Sequence, residues 1–262
     1  MAFTLGPRAQ TAGYRLASFD QIGSTNSEAM ERARTGERGP MWFATTEQTA
    51  GRGRRQRAWI APRGNLAASV LETLQVAPAT AATLGFAAGL ALAAALRAVA
   101  GSASTSFALK WPNDVMADGA KLSGILLEAE AAPGGGLAVV VGMGTNVVAA
   151  PEGTPVPATS LRALGFETTA EKLFAALSDS WAECRGIWDQ GNGFGEIRRR
   201  WLACAAGIGQ PVAVQTGNAT VSGIFETIDD TGCMIVGTSS GERVPVSAGD
   251  VHFGQAASLR AG

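Results

Sequence analysis

Between Thr73 and Leu96 the chain carries no charged side chain. A run of that length and character either crosses a bilayer or lies inside a protein. Its content points inward, because Pro78, Gly85, Gly89, several threonines and many alanines stand where a spanning segment would lean on Leu, Ile, Val and Phe. The reading is a buried helix from about Ala79 to Ala100, which needs apolar partners around most of its circumference. Such a helix demands a sizeable sheet beside it. A chain of 262 residues is long enough to supply one.

Apolar runs at Leu16–Ile22, Met41–Thr45, Asn65–Leu71, Ser106–Lys110, Leu122–Ala131 and Leu137–Val148 read as strands, with the long helix between the third and the fourth. The segment from Ser24 opens a helix running to about Arg34, and Thr25 and Glu28 have capping-box spacing. Gly134-Gly135-Gly136 reads as a hairpin turn. Two more helices are expected, Glu171 to Asp189, with Leu173, Leu177, Trp181, Cys184 and Trp188 on one stripe, and Phe194 to Ala203. Beyond Pro211 the texture changes to short alternating strands at Val212–Thr216, Ala219–Ile228, Cys233–Gly237 and Glu242–Val246. Turn signals separate them: Thr216-Gly217-Asn218, Asp229-Asp230-Thr231-Gly232 and Ser239-Ser240-Gly241. The expectation is an α+β main domain over 1–207 and a small antiparallel barrel over 208–262. No internal repeat is evident.

Against a formal net charge of −1, the stretch Gly51-Arg52-Gly53-Arg54-Arg55-Gln56-Arg57-Ala58-Trp59 concentrates positive charge in one loop. With a pI near 5.9 the chain lacks the broad basic surface of a general nucleic-acid binder. Several guanidinium groups in an irregular loop can converge on one polyanion, phosphate above all. The plainer alternative is a solvated basic loop. Gly51 and Gly53 are read as freeing the backbone, and Trp59 as stacking on a base or packing under the loop. Like charges so crowded predict a loop that is mobile without ligand. Only Lys110, Lys121 and Lys172 break the near-exclusive use of arginine, which marks them for inspection. Cys184, Cys204 and Cys233 are odd in number and far apart, which argues against a disulfide framework and for a reducing compartment. The N-terminal residues lack an export signal, so a cytoplasmic location is expected.

Lys110-Trp111-Pro112-Asn113-Asp114 closes a predicted strand, with Pro112 pinning the turn. An amide beside a carboxylate suits either water-mediated Mg²⁺ binding or an arginine anchor. A hairpin back to Lys121-Leu122-Ser123-Gly124 would return Lys121, a mobile point charge, to the same place. Val139 to Asn146 contains the start of a dinucleotide fingerprint, but the third glycine and the following helix are missing. It reads instead as a buried strand in which Gly142 and Gly144 permit close approach. Neither a phosphate-cradling G-x-x-x-x-G-K-[ST] loop nor H-E-x-x-H nor G-x-S-x-G occurs. The lone histidine, His252, is read as structural, which argues against His-dependent nucleophilic chemistry.

Taken in order, Ser24-Thr25-Asn26, Gln48 through Trp59, Lys110 through Asp114, Lys121 through Glu128, Gly142 through Asn146, Ala158 through Leu161 and Ala248 through Val251 resemble the biotin protein ligases. The resemblance runs from about Ser18 to Gly254. It implies a catalytic domain of the class II synthetase-like, biotin/lipoate ligase type and an SH3-like C-terminal domain. It also implies ATP-dependent formation of biotinoyl-5′-adenylate, then transfer of biotin to a lysine of a biotin carboxyl carrier domain, with Mg²⁺ as cofactor. By the same resemblance, Ser24, Thr25, Asn26, Gln48, Arg52, Gly53, Lys121, Gly124 and Gly142 would serve biotin. Arg54, Arg57, Trp59, Asn113, Lys121 and Asn146 would serve ATP. Lys121, Arg54 and Arg57 would stabilise developing charge, and Asn113 and Asp114 would face the metal and anchor the loop. Some members carry an N-terminal winged helix-turn-helix and repress transcription; the stretch before the first strand is too short for one, so no DNA binding and no membrane attachment are expected. A homodimer is compatible. The rival readings are a lipoate or octanoate ligase and a non-catalytic binder of adenylates or nucleic acid.

Overall fold

A computed structural model of the chain describes residues 2–101, 105–154, 156–217 and 219–254. Asn218 of the first predicted turn and the last residues of the second predicted domain lie outside these. Seven strands form the main sheet: β1 (Arg15–Phe19), β2 (Met41–Thr45), β3 (Leu66–Leu74), β4 (Phe107–Lys110), β5 (Asp114–Ala117), β6 (Ala120–Ala131) and β7 (Leu137–Thr145). Their spatial order is β1-β2-β3-β7-β6-β5-β4. Only β1 and β2 run parallel; the other neighbours are antiparallel. The sheet is therefore mixed, and its centre is the glycine-bearing β7.

Among the described residues six α-helices dress this sheet: α1 (Pro7–Thr11), α2 (Thr25–Arg34), α3 (Pro78–Ala82), α4 (Leu84–Ala100), α5 (Ala170–Trp188) and α6 (Phe194–Ala203). On one face, α2 buries Ala29, Met30 and Ala33 against Phe43, Leu71 and Val140. On the opposite face α4 and α5 lie in the larger core with Trp42, Phe174 and Trp181. The expected long helix is there but broken at Thr83, whose hydroxyl donates to Thr80 O at 2.7 Å and accepts from Trp188 Nε1 at 2.8 Å. Pro78–Ala100 has the length of a spanning helix, and an 18-residue window within it has a mean hydropathy of 1.8 with 72% of its residues buried within the fold. Alanine explains the fit, since its small side chain lets the buried faces of α4 approach their neighbours closely.

Opposite this burial of apolar surface, one polar cluster ties α5 to the sheet. Glu72 of β3, 6% exposed, accepts from Tyr14 Oη at 2.8 Å, Trp181 Nε1 at 3.1 Å and Arg185 Nε at 2.5 Å. Burial and the Glu72 charge push the Tyr14 phenol far above its ordinary range. The α2 cap differs from expectation: Ser24 is the N-cap, accepting from Ser27 N at 3.4 Å, and Glu28 pairs with Arg32 rather than closing a capping box with Thr25.

The C-terminal sheet consists of β8 (Pro211–Thr216), β9 (Ala219–Ile228), β10 (Met234–Gly237), β11 (Arg243–Val246) and β12 (Asp250–Phe253), in the order β11-β10-β9-β8-β12. All its pairings are antiparallel. The expected small antiparallel β module is there; among the described residues no ladder joins β11 to β12, so the sheet stays open at that seam. β12, absent from the sequence reading, lies beside β8. The two sheets share one continuous core. The chain segment leading into β8 also pairs with β4, Leu109 N donating to Cys204 O and Ala206 N to Leu109 O, both at 2.8 Å.

Candidate active site

Successive residues of a strand face opposite sides, and on β6 and β7 the even-numbered positions bearing Gly124, Leu126, Glu128, Gly142 and Gly144 face the side occupied by α2. Gly142 sits between Ser69 of β3 and Leu126 of β6 in register. The first turn of α2 fills the space left by that glycine. A Cβ at Gly142 would stand 2.0 Å from Asn26 Oδ1. The Asn26 amide is thereby held at depth: Oδ1 accepts from Ser69 Oγ at 2.6 Å, and Nδ2 donates to Glu128 Oε2 at 2.8 Å and Leu126 O at 3.2 Å. Thr25 joins through its hydroxyl, 2.7 Å from Ser69 Oγ, and through its amide, which donates to Gln48 Oε1 at 2.8 Å.

Residues 51–59 fold back on themselves over this floor. Trp59 N donates to Gly51 O at 2.9 Å and Gly53 N to Arg57 O at 2.8 Å, making a narrow hairpin. Gly51 is required for closeness, because a Cβ there would meet Trp59 O at 2.4 Å. The two glycines were read as freeing the backbone; positive φ falls instead on Arg55 (55°) and Gln56 (58°) at the tip, a conformation non-glycine residues resist. Trp59 lies flat on the sheet, with Cε2 and Nε1 at 2.6 Å from where a Gly144 Cβ would be. It packs under the loop, the second of the two alternatives open for it.

The loop's arginines diverge. Arg52 Nη2 meets Glu128 Oε2 at 2.8 Å, while Arg54 Nη1 donates to Asn113 Oδ1 at 3.0 Å. Arg55 and Arg57 both reach Asp250 Oδ2 of the C-terminal sheet, at 2.9 and 2.6 Å. Burial, then the neighbouring Arg55 charge, lowers the Arg54 guanidinium. For Asp250 burial works upward, but the hydrogen bond from Arg57 and the charges of Arg57, Arg55 and Arg54 bring the carboxyl below its ordinary range.

Across the cavity Lys121 Nζ lies 2.6 Å from Asp114 Oδ1 and 5.6 Å from the Trp59 ring centre. The hairpin returning Lys121 to Asp114 contains β5, a strand missed in the sequence because its apolar part is only Val115-Met116-Ala117. Lys110 faces the same space, its ammonium lowered by burial and by Lys121, partly offset by Asp114. Lys172 is elsewhere, in the first turn of α5. All the predicted site residues line one cavity of about 540 Å³, within the range of small-molecule sites. Among the described residues two buried polar atoms lining it have no partner, Trp59 Nε1 and Asn146 Oδ1, while a third, Asp114 Oδ1, has the Lys121 ammonium and no other. The first is a donor and the second an acceptor, so the cavity still has hydrogen bonds to offer.

A magnesium ion finds limited support here. Among the described residues no three His, Cys, Asp or Glu side chains gather as a ligand set. Asn113 is committed at both ends, since its Nδ2 also donates to Ile125 O at 2.7 Å. Asn113 is thus an anchor for Arg54, and Asp114 is the one hard oxygen donor of the pair.

Residues 19–146 match the biotin/lipoate A/B protein ligase family and residues 207–254 the biotin protein ligase C terminal domain. The biotin–[acetyl-CoA-carboxylase] ligase of Paracoccus denitrificans is 40% identical over 237 residues, 88% of this chain and 97% of that one. The chain belongs to the biotin protein ligases. The corresponding ligase of Mycobacterium tuberculosis is 38% identical over 88% of this chain and 86% of its own length. In fold, this ligase is similar to the biotin protein ligase from Aquifex aeolicus in complex with biotin and ATP, with a TM-score of 0.76 at 22% identity, covering 91% of this chain and 99% of that one. Three residues built into its site escaped the sequence reading. Glu128 and Asp250 stood inside quoted motifs without a role, and Ser69 had no signal in a run of small residues.

Proposed function

We propose that this single cavity carries both half-reactions of the ligase, with the sheet floor holding biotin and the arginine loop holding the nucleotide. The enzyme activates biotin with ATP and passes it to the biotin carboxyl carrier of acetyl-CoA carboxylase. In the first step a biotin carboxylate oxygen bonds to the α-phosphorus, the bond to pyrophosphate breaks, and biotinoyl-5′-AMP forms. In the second, a lysine amine of the carrier bonds to the acyl carbon, AMP departs and the amine loses a proton. Both nucleophiles come from substrates, which fits a site built of charges and dipoles rather than an activated Ser, Cys or His.

In this reading Ser24, Thr25, Asn26 and Gln48 hydrogen-bond the polar head of biotin, with Gly124 and Gly142 keeping the floor low. Arg52 and Gly53 cover it. Arg54 and Arg57 take phosphate oxygens, Arg57 exchanging Asp250 for them. Trp59 offers its ring to the adenine and Asn146 its Oδ1. Lys121 follows the charge that moves between biotin carboxylate and α-phosphate. A magnesium ion carried in with the triphosphate would be met by Asp114 and would neutralise phosphate charge. The observation that carries this reading is the meeting of Lys121, Arg54 and the Asn26 amide around one cavity.

The folding units proposed are 1–207 and 208–262. Scattered free cysteines and the burial of Pro78–Ala100 support a cytoplasmic enzyme without membrane attachment. The local concentration of arginine in an acidic chain supports a small anionic ligand rather than DNA. β1 ends the main sheet with one side unpaired among the described residues, which supports strand pairing with a second copy. Pyrophosphate exchange into ATP tests the reaction: biotin supports it, whereas exchange with lipoate or octanoate alone would reverse the assignment.

A further inference from the structure

Glu128 takes no part in the chemistry described, yet two separate elements converge on it. One carboxylate oxygen, Oε2, accepts from Asn26 of α2 and from Arg52 of the loop, each at 2.8 Å. The pair with Arg52 alone would be unremarkable, since the two side chains are 43% and 28% exposed and such pairs contribute little. Sharing the acceptor with Asn26, which is 4% exposed, is what distinguishes it. The carboxylate fixes which way the Asn26 amide points, and it does so while holding the loop down.

The location of the shared oxygen gives it a second meaning. Arg52, Gly53 and Leu126 line the reaction cavity on one side and a separate cavity of about 450 Å³ on the other, where Glu128, Arg55 and Gln56 complete the lining. The Arg52–Gly53 segment is therefore a partition between two compartments, and Glu128 stands on the outer side of it.

We infer that Glu128 is a latch, a positioning residue that holds Arg52 and Gly53 closed over the floor and keeps the activated acyl adenylate inside until an acceptor amine displaces the contact. The inference rests on the ligase reading above and deepens it. A mixed anhydride in contact with water is lost to hydrolysis, so its retention depends on the partition staying shut. An ammonium group arriving from the outer compartment is a natural competitor for the same carboxylate oxygen.

The test uses wild-type protein, Glu128→Ala, Arg52→Ala, the double variant and Glu128→Gln, each checked for native fold by circular dichroism. Enzyme loaded with biotin and ATP is stripped of free ligand, and the survival of bound biotinoyl-5′-AMP is followed by chromatography. Trypsin, which cuts after arginine, is used in parallel on ligand-free protein to time cleavage within 51–59. Glu128→Ala is expected to shorten retention at least tenfold and to speed cleavage at least threefold. Glu128→Gln, which keeps an acceptor oxygen without the charge, falls between. In the Arg52→Ala background, Glu128→Ala is expected to add less than twofold to either rate, because the contact is already gone. Unchanged retention and cleavage in Glu128→Ala, or effects that multiply in the double variant, would overturn the latch. Failure of the wild type to form any adenylate from biotin would instead count against the ligase reading, and the tryptic comparison would still judge the latch by itself.

Discussion

Adding one methyl group at position 142 should show whether the pocket floor is built as described. In Gly142→Ala the new Cβ would lie 2.0 Å from Asn26 Oδ1, 2.8 Å from its Cγ and 3.1 Å from its Nδ2, so the Asn26 side chain must leave its place. Leaving breaks the bond from Ser69 and the bonds to Glu128 and Leu126 O. Ser69 has a second acceptor in Thr25 Oγ1 at 2.7 Å and is not stranded. Three lost bonds at about 1 kcal/mol each, plus one imperfectly satisfied amide at about 1–2 kcal/mol, come to about 4–5 kcal/mol of stability. For a chain of this size that corresponds to a melting temperature lower by on the order of 10 °C. A displaced amide also costs biotin binding about 1.4–2.8 kcal/mol, or about tenfold to a hundredfold in Kd. Calorimetric titration with biotin alone and thermal unfolding measure the two effects separately. Asn26→Ser shortens the obstructing side chain, so Asn26→Ser/Gly142→Ala should melt close to Asn26→Ser alone even though biotin binds weakly. If Gly142→Ala melts and binds biotin like the parent, or if Asn26→Ser gives no relief, the packing argument is wrong.

Lys121→Ala should slow pyrophosphate exchange by about 10²–10³, and Lys121→Arg should not restore it, since a planar fork cannot replace a mobile point charge beside Asp114; restored exchange would remove Lys121 from its role. Asp250 holds Arg55 and Arg57 only while ionised, and its folded-state pKa is depressed. The tether is therefore intact above the ordinary carboxylate range and is lost as pH falls through that lowered value. Amide protection over 54–59, taken against the intrinsic exchange rate at each pH, should fall on acidification, and Asp250→Asn should show the low protection already at neutral pH; equal protection in both proteins would refute the tether. Glu72→Ala leaves Arg185 buried without its carboxylate and should cost about 3–5 kcal/mol in urea unfolding, while biotin binding, on the other face of the sheet, stays close to that of the parent.

Much of this fold was legible because its main elements follow simple periodicities. The Phe194–Ala203 helix and the Met41–Thr45 and Ala219–Ile228 strands occur where apolar spacing places them. What was illegible falls into two kinds. β5, β12 and α1 are only four or five residues long, too short for a period to rise above noise. The other kind is pairing at a distance. Gly53 and Gly51 invited an account of backbone freedom, but the strain sits on Arg55 and Gln56 and is bound to a carboxylate in the other sheet. Nothing local to the loop names Asp250, just as nothing near Asn26 names Ser69. The open seam of the C-terminal sheet was likewise hidden, because closure depends on how two edge strands meet and not on the pattern within either.

Arg57 and the carboxylate that restrains it are 193 positions apart in the chain. A ribosome adding about 5–20 residues per second therefore exposes the arginines roughly 10–40 s before their counterion exists. Throughout that interval the growing polypeptide presents an unclaimed cluster of guanidinium groups to a cell full of nucleotides. Only when β12 has been made does Asp250 arrive to quiet Arg55 and Arg57, so a product truncated before it would be not merely shorter but differently charged where it matters.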